Sequence, residues 1–195
     1  MIFPENLDFN DLIGHHTLLY GETNTKKTFY TSKFIQFLLE SENISPNDIS
    51  ILDFAPLSNT INTLKIGGKV QDFYEKCNSC KNILFKGEII PPRLNSSNRT
   101  ELYHIACENF KKTSKILHLY KNNPTPILII NDISLYLHVG NVKPLLEAID
   151  KSNTFFGNSY YGSSIKRNYA TLFSLREKRQ IEYLIKKLET SYFTG

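Results

Sequence analysis

The sequence contains no long apolar stretch. A membrane-spanning helix needs roughly 20 consecutive apolar residues, and no run in this chain approaches that length. The first residues, Met-Ile-Phe-Pro-Glu-Asn, also lack the basic start and the apolar stretch of a secretory leader. We therefore expect no membrane partner and a cytoplasmic location.

The sequence has few cysteines and a small net charge. Three cysteines, an odd number, do not make a disulfide framework. The formal net charge of +4 over 195 residues is compatible with a polyanionic ligand but too weak to indicate nucleic acid as a partner. The content of 41% hydrophobic and 22% charged residues is ordinary for a soluble globular protein. The length predicts a single domain, residues 1–195, with a substantial core.

Strand and helix patterns alternate along the chain, which is typical of a parallel sheet with helices on both faces. We predict an α/β fold of three layers, α/β/α, with a mainly parallel central sheet. The predicted strands are His16–Tyr20, Ile49–Phe54, Pro126–Asn131, Thr154–Phe156 and Tyr169–Phe173. The predicted helices are Lys27–Leu39, Arg99–Tyr120, Val142–Asp150 and a last helix that begins at a capping box of Ser174 and Glu177 and buries Ile181, Leu184, Ile185 and Leu188.

Residues 56–98 are predicted to be a loop-rich insertion with one short strand at Ile83–Phe85. The insertion contains two neighbouring glycines, two cysteines and the pair Pro91-Pro92. Its sequence Lys65-Ile66-Gly67-Gly68-Lys69 is typical of a solvated basic turn, and a clamp for a phosphate or a partner is the alternative.

Residues 17–28 read Thr-Leu-Leu-Tyr-Gly-Glu-Thr-Asn-Thr-Lys-Lys-Thr, an apolar strand that runs into an almost complete P-loop. The P-loop pattern is Gly, four residues, Gly, Lys and then Ser or Thr. Gly21, Lys27 and Thr28 fit it, whereas Lys26 stands where the second glycine belongs. Such a loop directs backbone N–H groups and the positive end of a helix dipole at one point. We predict a nucleoside triphosphate ligand, with Lys27 at its β- and γ-phosphates and Thr28 on Mg²⁺; an ordinary turn is the alternative.

An acidic residue, Asp132, follows the apolar run Ile127-Leu128-Ile129-Ile130 and Asn131. P-loop enzymes hold their magnesium through an acidic residue at the end of an apolar strand. An aspartate that merely ends a buried strand is common. The prediction of a magnesium–nucleotide site therefore depends on the joint occurrence of Asp132 and the P-loop in an alternating α/β pattern.

On these residues the chain resembles the RecA-like branch of P-loop NTPases, of the single-domain RecA/KaiC type. The resemblance lies in Ile13-Gly14-His15-His16-Thr17-Leu18-Leu19-Tyr20-Gly21-Glu22, which is similar to the lead-in strand of that branch, and in Pro126 to Asp132. It implies a RecA-type core that binds ATP and Mg²⁺, with Lys27 and Asp132 catalytic and with Thr28 and Asp132 on the metal. The nucleotide-binding residues that it implies are Gly21, Glu22, Thr23, Asn24, Thr25, Lys26, Lys27, Thr28 and Phe29. RecA relatives often form rings or filaments, which leaves a homo-oligomer or another protein partner open.

Two departures from the RecA-like pattern predict slow or partner-dependent hydrolysis. Lys26 replaces a glycine whose missing side chain lets the backbone approach phosphate. The water-activating glutamate of this branch lies just beyond the second strand, and that of related ATPases directly after the metal-binding aspartate. Here those positions read Asp53-Phe54-Ala55-Pro56 and Asp132-Ile133-Ser134. Asp53 is a substitute base, and Glu22 is a more remote candidate.

Cys77 and Cys80, in a C-x-x-C, and His104 and Cys107, in an H-x-x-C on the next helix, have the ligand types of a Cys₃His zinc site. Plain reduced cysteines are the favoured interpretation, with zinc or a redox pair as alternatives.

Two groups of cations are further candidates. The glycine- and tyrosine-rich sequence from Gly157 to Gly162, followed by Lys166-Arg167, comes after a late strand, the position at which RecA-like proteins carry nucleic-acid-contacting loops. An ordinary surface loop is the favoured interpretation. Arg176 and Arg179 either reach a γ-phosphate or are solvated helix charges.

Three functions stay open from the sequence. The first is a weak, Mg²⁺-dependent ATPase. The second is a catalytically degenerate P-loop module that serves as a protein- or nucleic-acid-binding accessory factor. The third is a small-molecule or nucleotide kinase, which we rank lower because residues 56–98 contain only Arg93 where such kinases carry several arginines in a lid. The preference for ATP over GTP is open as well.

Overall fold

A computed structural model describes residues 7–61 and 64–195, except for the side chains of residues 61, 64 and 65. The N-terminal segment and the Lys65 side chain, both interpreted above, lie outside the described residues.

Most of the described strands form a single parallel sheet. The strands are β1 (His16–Gly21), β2 (Ile49–Asp53), β3 (Asn59–Ile61), β4 (Leu64–Ile66), β5 (Lys81–Asn82), β6 (Ile127–Asn131), β7 (Thr154–Tyr160) and β8 (Thr190–Phe193). The sheet has the order β5-β2-β6-β7-β1-β8, and every pairing in it is parallel. β3 and β4 form a separate antiparallel hairpin. The carboxyl ends of β2, β6, β7 and β1 therefore meet at one edge, where ligands of open α/β sheets bind.

Helices cover both faces of the sheet, which confirms the predicted three-layer α/β/α fold. They are α1 (Lys27–Glu40), α2 (Arg99–Asn122), α3 (Ser134–Leu137), α4 (Val142–Ile149) and α5 (Thr171–Ile185). α1 packs on one face, and α2, α4 and α5 contribute to the core on the other. None of the described helices combines the length and apolarity that a membrane crossing requires.

Burial on both faces explains why β6 is wholly apolar up to its last residue. Leu128 and Ile130 join the core on the α2 side, whereas Ile127 and Ile129 join the core on the α1 side. Alternate side chains of a strand point to opposite faces, so a central strand without a polar face needs apolar residues at every position. Full burial of one such side chain contributes about 1.5–3 kcal/mol.

The predicted elements are confirmed for β1, β2, β6, β7, α1, α2 and α4, within a few residues at their ends. The predicted strand Ile83–Phe85 is wrong, because the short strand in this region is Lys81–Asn82, which pairs with β2. The predicted strand Tyr169–Phe173 is also wrong, since a 3₁₀ turn at Asn168–Ala170 leads directly into α5. The capping box is wrong for the same reason, because Ser174 and Glu177 lie inside α5. β8 was not predicted.

The segment between β2 and α2 lies against the carboxyl edge of the sheet. It contains the hairpin β3–β4, 3₁₀ turns at Val70–Asp72 and Glu75–Ser79, and β5. The prediction of a solvated turn at its glycine loop is wrong. The Lys69 side chain is 19% exposed, and its Nζ donates to the Asp53 carbonyl at 3.0 Å.

Candidate functional site

The P-loop lies between the end of β1 at Gly21 and the start of α1 at Lys27. Two of its residues adopt the left-handed conformation, Asn24 with φ 60° and Lys26 with φ 61°. Within the part of the chain that the structure describes, no side-chain hydrogen bond caps the start of α1. The N–H groups of this turn and the positive helix end are therefore available to an anion.

Lys26→Gly is expected to be more stable than Lys26→Ala by about 1 kcal/mol. Alanine keeps the Cβ that disfavours φ 61°, whereas glycine adopts this backbone conformation without strain. The greater entropy of glycine in the unfolded state offsets only part of the stability gained in this way. Both variants remove the charge, so their difference isolates the backbone. Urea denaturation measures it. Equal stability of the two variants would contradict a strained Lys26.

Lys27 folds back onto its own loop. Its Nζ donates to the Gly21 carbonyl at 3.0 Å, to the Glu22 carbonyl and to Thr25 Oγ1 at 3.1 Å. Burial lowers the pKa of Lys27 to about 8, against the attraction of Asp132 and Glu22. The ammonium is thus a buried cation whose nearest hydrogen-bond partners are neutral.

The residue that contacts the Thr28 hydroxyl is Asn131, the last residue of β6. Asn131 Oδ1 accepts from Thr28 Oγ1 at 3.2 Å and from Asn158 Nδ2 at 2.7 Å. Its Nδ2 donates to Asp53 Oδ1 at 2.9 Å and to the Gly68 carbonyl at 3.1 Å. One fully buried amide therefore connects β2, β6, β7 and α1, and sequence reasoning passed over it in favour of the next residue.

Asp132 lies one residue beyond the strand and lines the same cavity as Lys27 and Thr28. Its backbone is left-handed, with φ 59°, and its N–H donates to Asn158 Oδ1 at 3.1 Å. Its carboxylate accepts from Ser134 Oγ at 2.6 Å. Burial raises the pKa of Asp132, and the nearby Lys27 opposes that rise. The structure thus brings the predicted Lys27, Thr28 and Asp132 together around one cavity.

Neither candidate base is free. The Glu22 carboxylate accepts from the backbone N–H of Ser163 and from Ser164 Oγ at 2.5 Å. Burial is the largest effect on the pKa of Glu22 and raises it, but these hydrogen bonds together bring it below its usual value. Asp53 accepts from Asn131, from the Ala55 N–H at 3.1 Å and from the Val70 N–H at 2.8 Å. Both carboxylates are engaged in holding loops.

The cavity in front of the P-loop has a volume of about 460 Å³. Residues Thr23 to Phe29 line it. The segment between β2 and α2 contributes Pro56, Ile66, Gly67, Phe73 and the stretch from Pro91 to Leu94 to the lining, and the Phe73 ring lies 6.1 Å from that of Phe29. Leu135, His138, Tyr160 and Ile165 complete the lining. The predicted insertion therefore forms part of the wall of the cavity.

Arg93 and His138, which line the cavity, form a buried cluster with Glu177. Arg93 Nη2 donates to Glu177 Oε2, Arg93 Nε donates to Ser174 Oγ at 3.1 Å, and His138 Nε2 lies 2.9 Å from Glu177 Oε1. Burial lowers the pKa of Arg93 to about 10 and holds that of His138 well below its ordinary value. The three residues come from segments far apart in sequence, so no local pattern could have identified them.

The cysteines and Arg176 do not line this cavity, whereas Tyr160 of the glycine- and tyrosine-rich sequence does. Cys77 and Cys80 are buried in the core on the α1 side, whereas Cys107 is exposed on α2. Burial raises the thiol pKa of Cys77 to about 12 and that of Cys80 to about 11, which keeps both protonated. Across the described residues no cluster of His, Cys, Asp and Glu side chains can hold a metal ion, so the zinc alternative is wrong. Arg176 donates to the Val139 carbonyl at 2.9 Å.

No protein-family model and no curated protein matches the chain. Among solved structures, the chain is similar to the flagellar accessory protein FlaH from Methanocaldococcus jannaschii, with 14% identity and a TM-score of 0.41. The match covers 90% of this chain and 76% of that chain. A likeness this loose bears on neither the ligand nor the activity of this chain.

Proposed function

We propose that this chain is an ATP-binding, RecA-like P-loop protein with slow, Mg²⁺-dependent ATP hydrolysis. The observation that carries the proposal is the convergence of Lys27, Thr28 and Asp132 on one cavity at the N-terminus of α1. The cavity lies at the carboxyl edge of a parallel sheet. This combination matches the needs of a triphosphate, which are backbone donors, one buried ammonium and a site for a divalent cation.

The charges of the site fit a magnesium triphosphate. Lys27 is a buried cation hydrogen-bonded to neutral oxygens, and a phosphate would supply an anion in direct contact with it. Thr28 and Asp132 offer a hydroxyl and a carboxylate, the hard oxygen ligands that Mg²⁺ prefers. Mg²⁺ takes few protein ligands when it is bound with phosphates, so a single carboxylate suffices. When bound, the ion would neutralise charge on the phosphates.

Slow turnover is proposed because the described residues place no free base beside the nucleotide site. Glu22 and Asp53 hold loops through two or more hydrogen bonds each. Asp132 is the remaining carboxylate on the cavity wall, and it also serves the metal in this proposal. Activation of water therefore depends on a weak base or on a partner that supplies one.

Removal of the Lys27 ammonium tests the proposal. Lys27→Ala is expected to lower the affinity for Mg·ATP about 10- to 100-fold, the effect of one charge-assisted hydrogen bond. Isothermal titration calorimetry of both proteins with Mg·ATP and Mg·GTP measures it. Lys33→Ala removes an exposed lysine from the same helix and should bind as the wild type does. A wild type that binds neither nucleotide would overturn the proposal.

Nucleotide affinity is expected to fall above pH 8, by up to about tenfold per pH unit. The pKa of Lys27 is about 8 in the free protein, and phosphate binds the charged form, so the neutral fraction at higher pH must be protonated on binding. Titrations between pH 7 and pH 9.5 measure this slope. Lys27→Arg keeps its charge throughout and should give a flat profile. An unchanged slope in this variant would place the titrating group elsewhere.

The second candidate function is a catalytically degenerate P-loop module that acts as a protein- or nucleic-acid-binding accessory factor. The amide of Asn131 at the end of β6 and the engagement of Glu22 and Asp53 favour it. A homo-oligomer or another protein partner remains compatible with either function. Measurable ATP turnover that disappears in Lys27→Ala would support the ATPase over this module.

A further inference from the structure

A second cavity, with a volume of about 620 Å³, adjoins the candidate nucleotide site. It is lined mainly by the loop that follows β7 and by α5, and its volume lies within the range of sites that bury small organic ligands. The two cavities share Arg93, Tyr160 and Ile165 and differ in the rest of their lining. A molecule in the second cavity would therefore lie next to the candidate nucleotide site.

The lining of the second cavity has an excess of positive charge. It contains four cationic side chains against two carboxylates, which leaves two positive charges. The cations are Arg93, Lys166, Arg167 and Lys178, and the carboxylates are Glu22 and Glu177. An excess of charge of one sign around a concave surface attracts ligands of the opposite sign.

The ion pairs of the fold leave most of these cations out. Arg93 is paired with Glu177, and the Glu22 carboxylate is held by hydrogen bonds from the loop. The salt bridges among the described residues include none of the other three cations, all of which are exposed. An anion in the cavity would therefore supply an opposite charge to three side chains at once.

The two tyrosines of the lining favour a small molecule over a nucleic-acid strand. Single strands stack their bases on aromatic rings. Here each ring already has a cation over it. The Arg93 guanidinium carbon lies 5.6 Å from the centre of the Tyr160 ring, and Lys178 Nζ lies 5.2 Å from that of Tyr161. The Tyr161 hydroxyl also donates to Glu182 Oε1 at 2.9 Å.

We propose that the second cavity binds a small organic anion. The anionic group is held by Lys178 and by the two cations of the loop, Lys166 and Arg167. The apolar body of the ligand packs against Leu175 and Phe193, which line the same cavity. The site does not depend on nucleotide binding, because its cations are not those of the P-loop.

Benzoate and benzamide are the probes, since they share a ring and a planar head group and differ by one negative charge. Titrations of the ¹⁵N-labelled full chain, followed by NMR, give both affinities. Benzoate should bind roughly fivefold tighter than benzamide, the effect of one net hydrogen bond. This preference should weaken as the salt concentration is raised.

The resonances that move locate the binding. The backbone amide resonances of Gly162, Thr171 and Leu175, which line the second cavity, should move with benzoate. Those of Lys27 and Thr28 should not. Equal affinities for the two probes, no binding by either, or shifts confined to the P-loop would overturn the site.

Matched lysine variants test the charge. Lys178→Gln should lower the affinity for benzoate about threefold and leave that for benzamide unchanged. Lys187→Gln is the control, because Lys187 Nζ also lies over a tyrosine ring, 5.6 Å from that of Tyr183, but Lys187 does not line the cavity. Equal losses in the two variants would mean that benzoate responds to the general surface charge, and would overturn the site.

Two further titrations separate this site from its alternatives. Lys27→Ala should lose ATP and keep benzoate, so the site and the proposed function can fail separately. A single-stranded oligonucleotide is added in competition with benzoate and should not displace it. If the oligonucleotide bound more tightly than benzoate and moved the same resonances, the cavity would belong to a nucleic-acid site and the small-molecule ligand would be wrong.

Discussion

Glu177→Gln is expected to lower the free energy of unfolding by about 3–5 kcal/mol, the loss that follows when one partner of a buried ion pair is removed. The side chains of Arg93 and Glu177 are only 5% and 4% exposed. The pKa of Arg93, although lowered to about 10, leaves its charge in place at neutral pH. The variant therefore buries a cation without its hydrogen-bonded anion. Urea denaturation at pH 7 measures the loss.

A second substitution tests the cause of this loss. Arg93→Met in the Glu177→Gln background removes the stranded charge and should restore at least half of the lost stability, because glutamine still pairs with His138. Glu108→Gln is the matched control, since its partner Lys111 is exposed and its loss should not be measurable. Failure of Arg93→Met to recover stability would mean that the loss comes from packing rather than from charge.

The same cluster explains why α5 was predicted to begin too late. The buried positions of the helix are Phe173, Glu177, Ile181 and Leu184, which repeat at helical spacing. Glu177, the second of these positions, interrupts the apolar pattern. The sequence alone therefore indicates a buried apolar face that begins after Glu177. Glu177 belongs to the buried face only because Arg93, 84 residues away, neutralises it. Sequence periodicity contains no information about such a partner.

The strand and helix that flank the predicted P-loop, in contrast, were predicted at their correct positions because their determinants are local. The apolar strand, Gly21, Lys27 and the helix that follows lie within a continuous stretch. The opposite side of the site is built from separate segments that meet at the carboxyl edge of the sheet. Asp132 was recognised there from its acidity, whereas Asn131 was missed because an amide after an apolar run carries no distinctive signal.

Asn131→Asp is expected to lower the free energy of unfolding by about 2–4 kcal/mol at pH 7.5. Asn131 Nδ2 is a donor between two acceptors, Asp53 Oδ1 at 2.9 Å and the Gly68 carbonyl at 3.1 Å. A carboxylate in its place turns both hydrogen bonds into repulsive contacts. It also places a second negative charge against Asp53, whose own pKa burial already raises.

The deficit should shrink as the pH falls, and the sign follows from linkage. The new carboxyl has a folded-state pKa above its unfolded value of about 3.9, so the folded state binds more protons between the two. Stability is therefore lost as the pH rises through this window and recovered as it falls. Urea denaturation at pH 7.5 and pH 5 measures the change relative to the wild type. Asn131→Leu breaks the same hydrogen bonds without adding a charge, so its deficit should depend on pH less than that of Asn131→Asp, and only through the Asp53 carboxylate that loses its donor.

Magnesium provides an independent readout of the same variant. A carboxylate at position 131 would stand beside the Thr28 hydroxyl, with Asp53 and Asp132 nearby. Millimolar Mg²⁺ should then raise the melting temperature of Asn131→Asp without nucleotide and leave that of the wild type unchanged. If Mg²⁺ alone stabilised the wild type equally, the neutral amide of Asn131 would not be what keeps Mg²⁺ from binding at this edge of the sheet without nucleotide. With Asp53 fixed by Val70 and Ala55, the neutral amide at position 131 donates to both Asp53 Oδ1 and the Gly68 carbonyl without adding charge, which is the physical reason for an amide there.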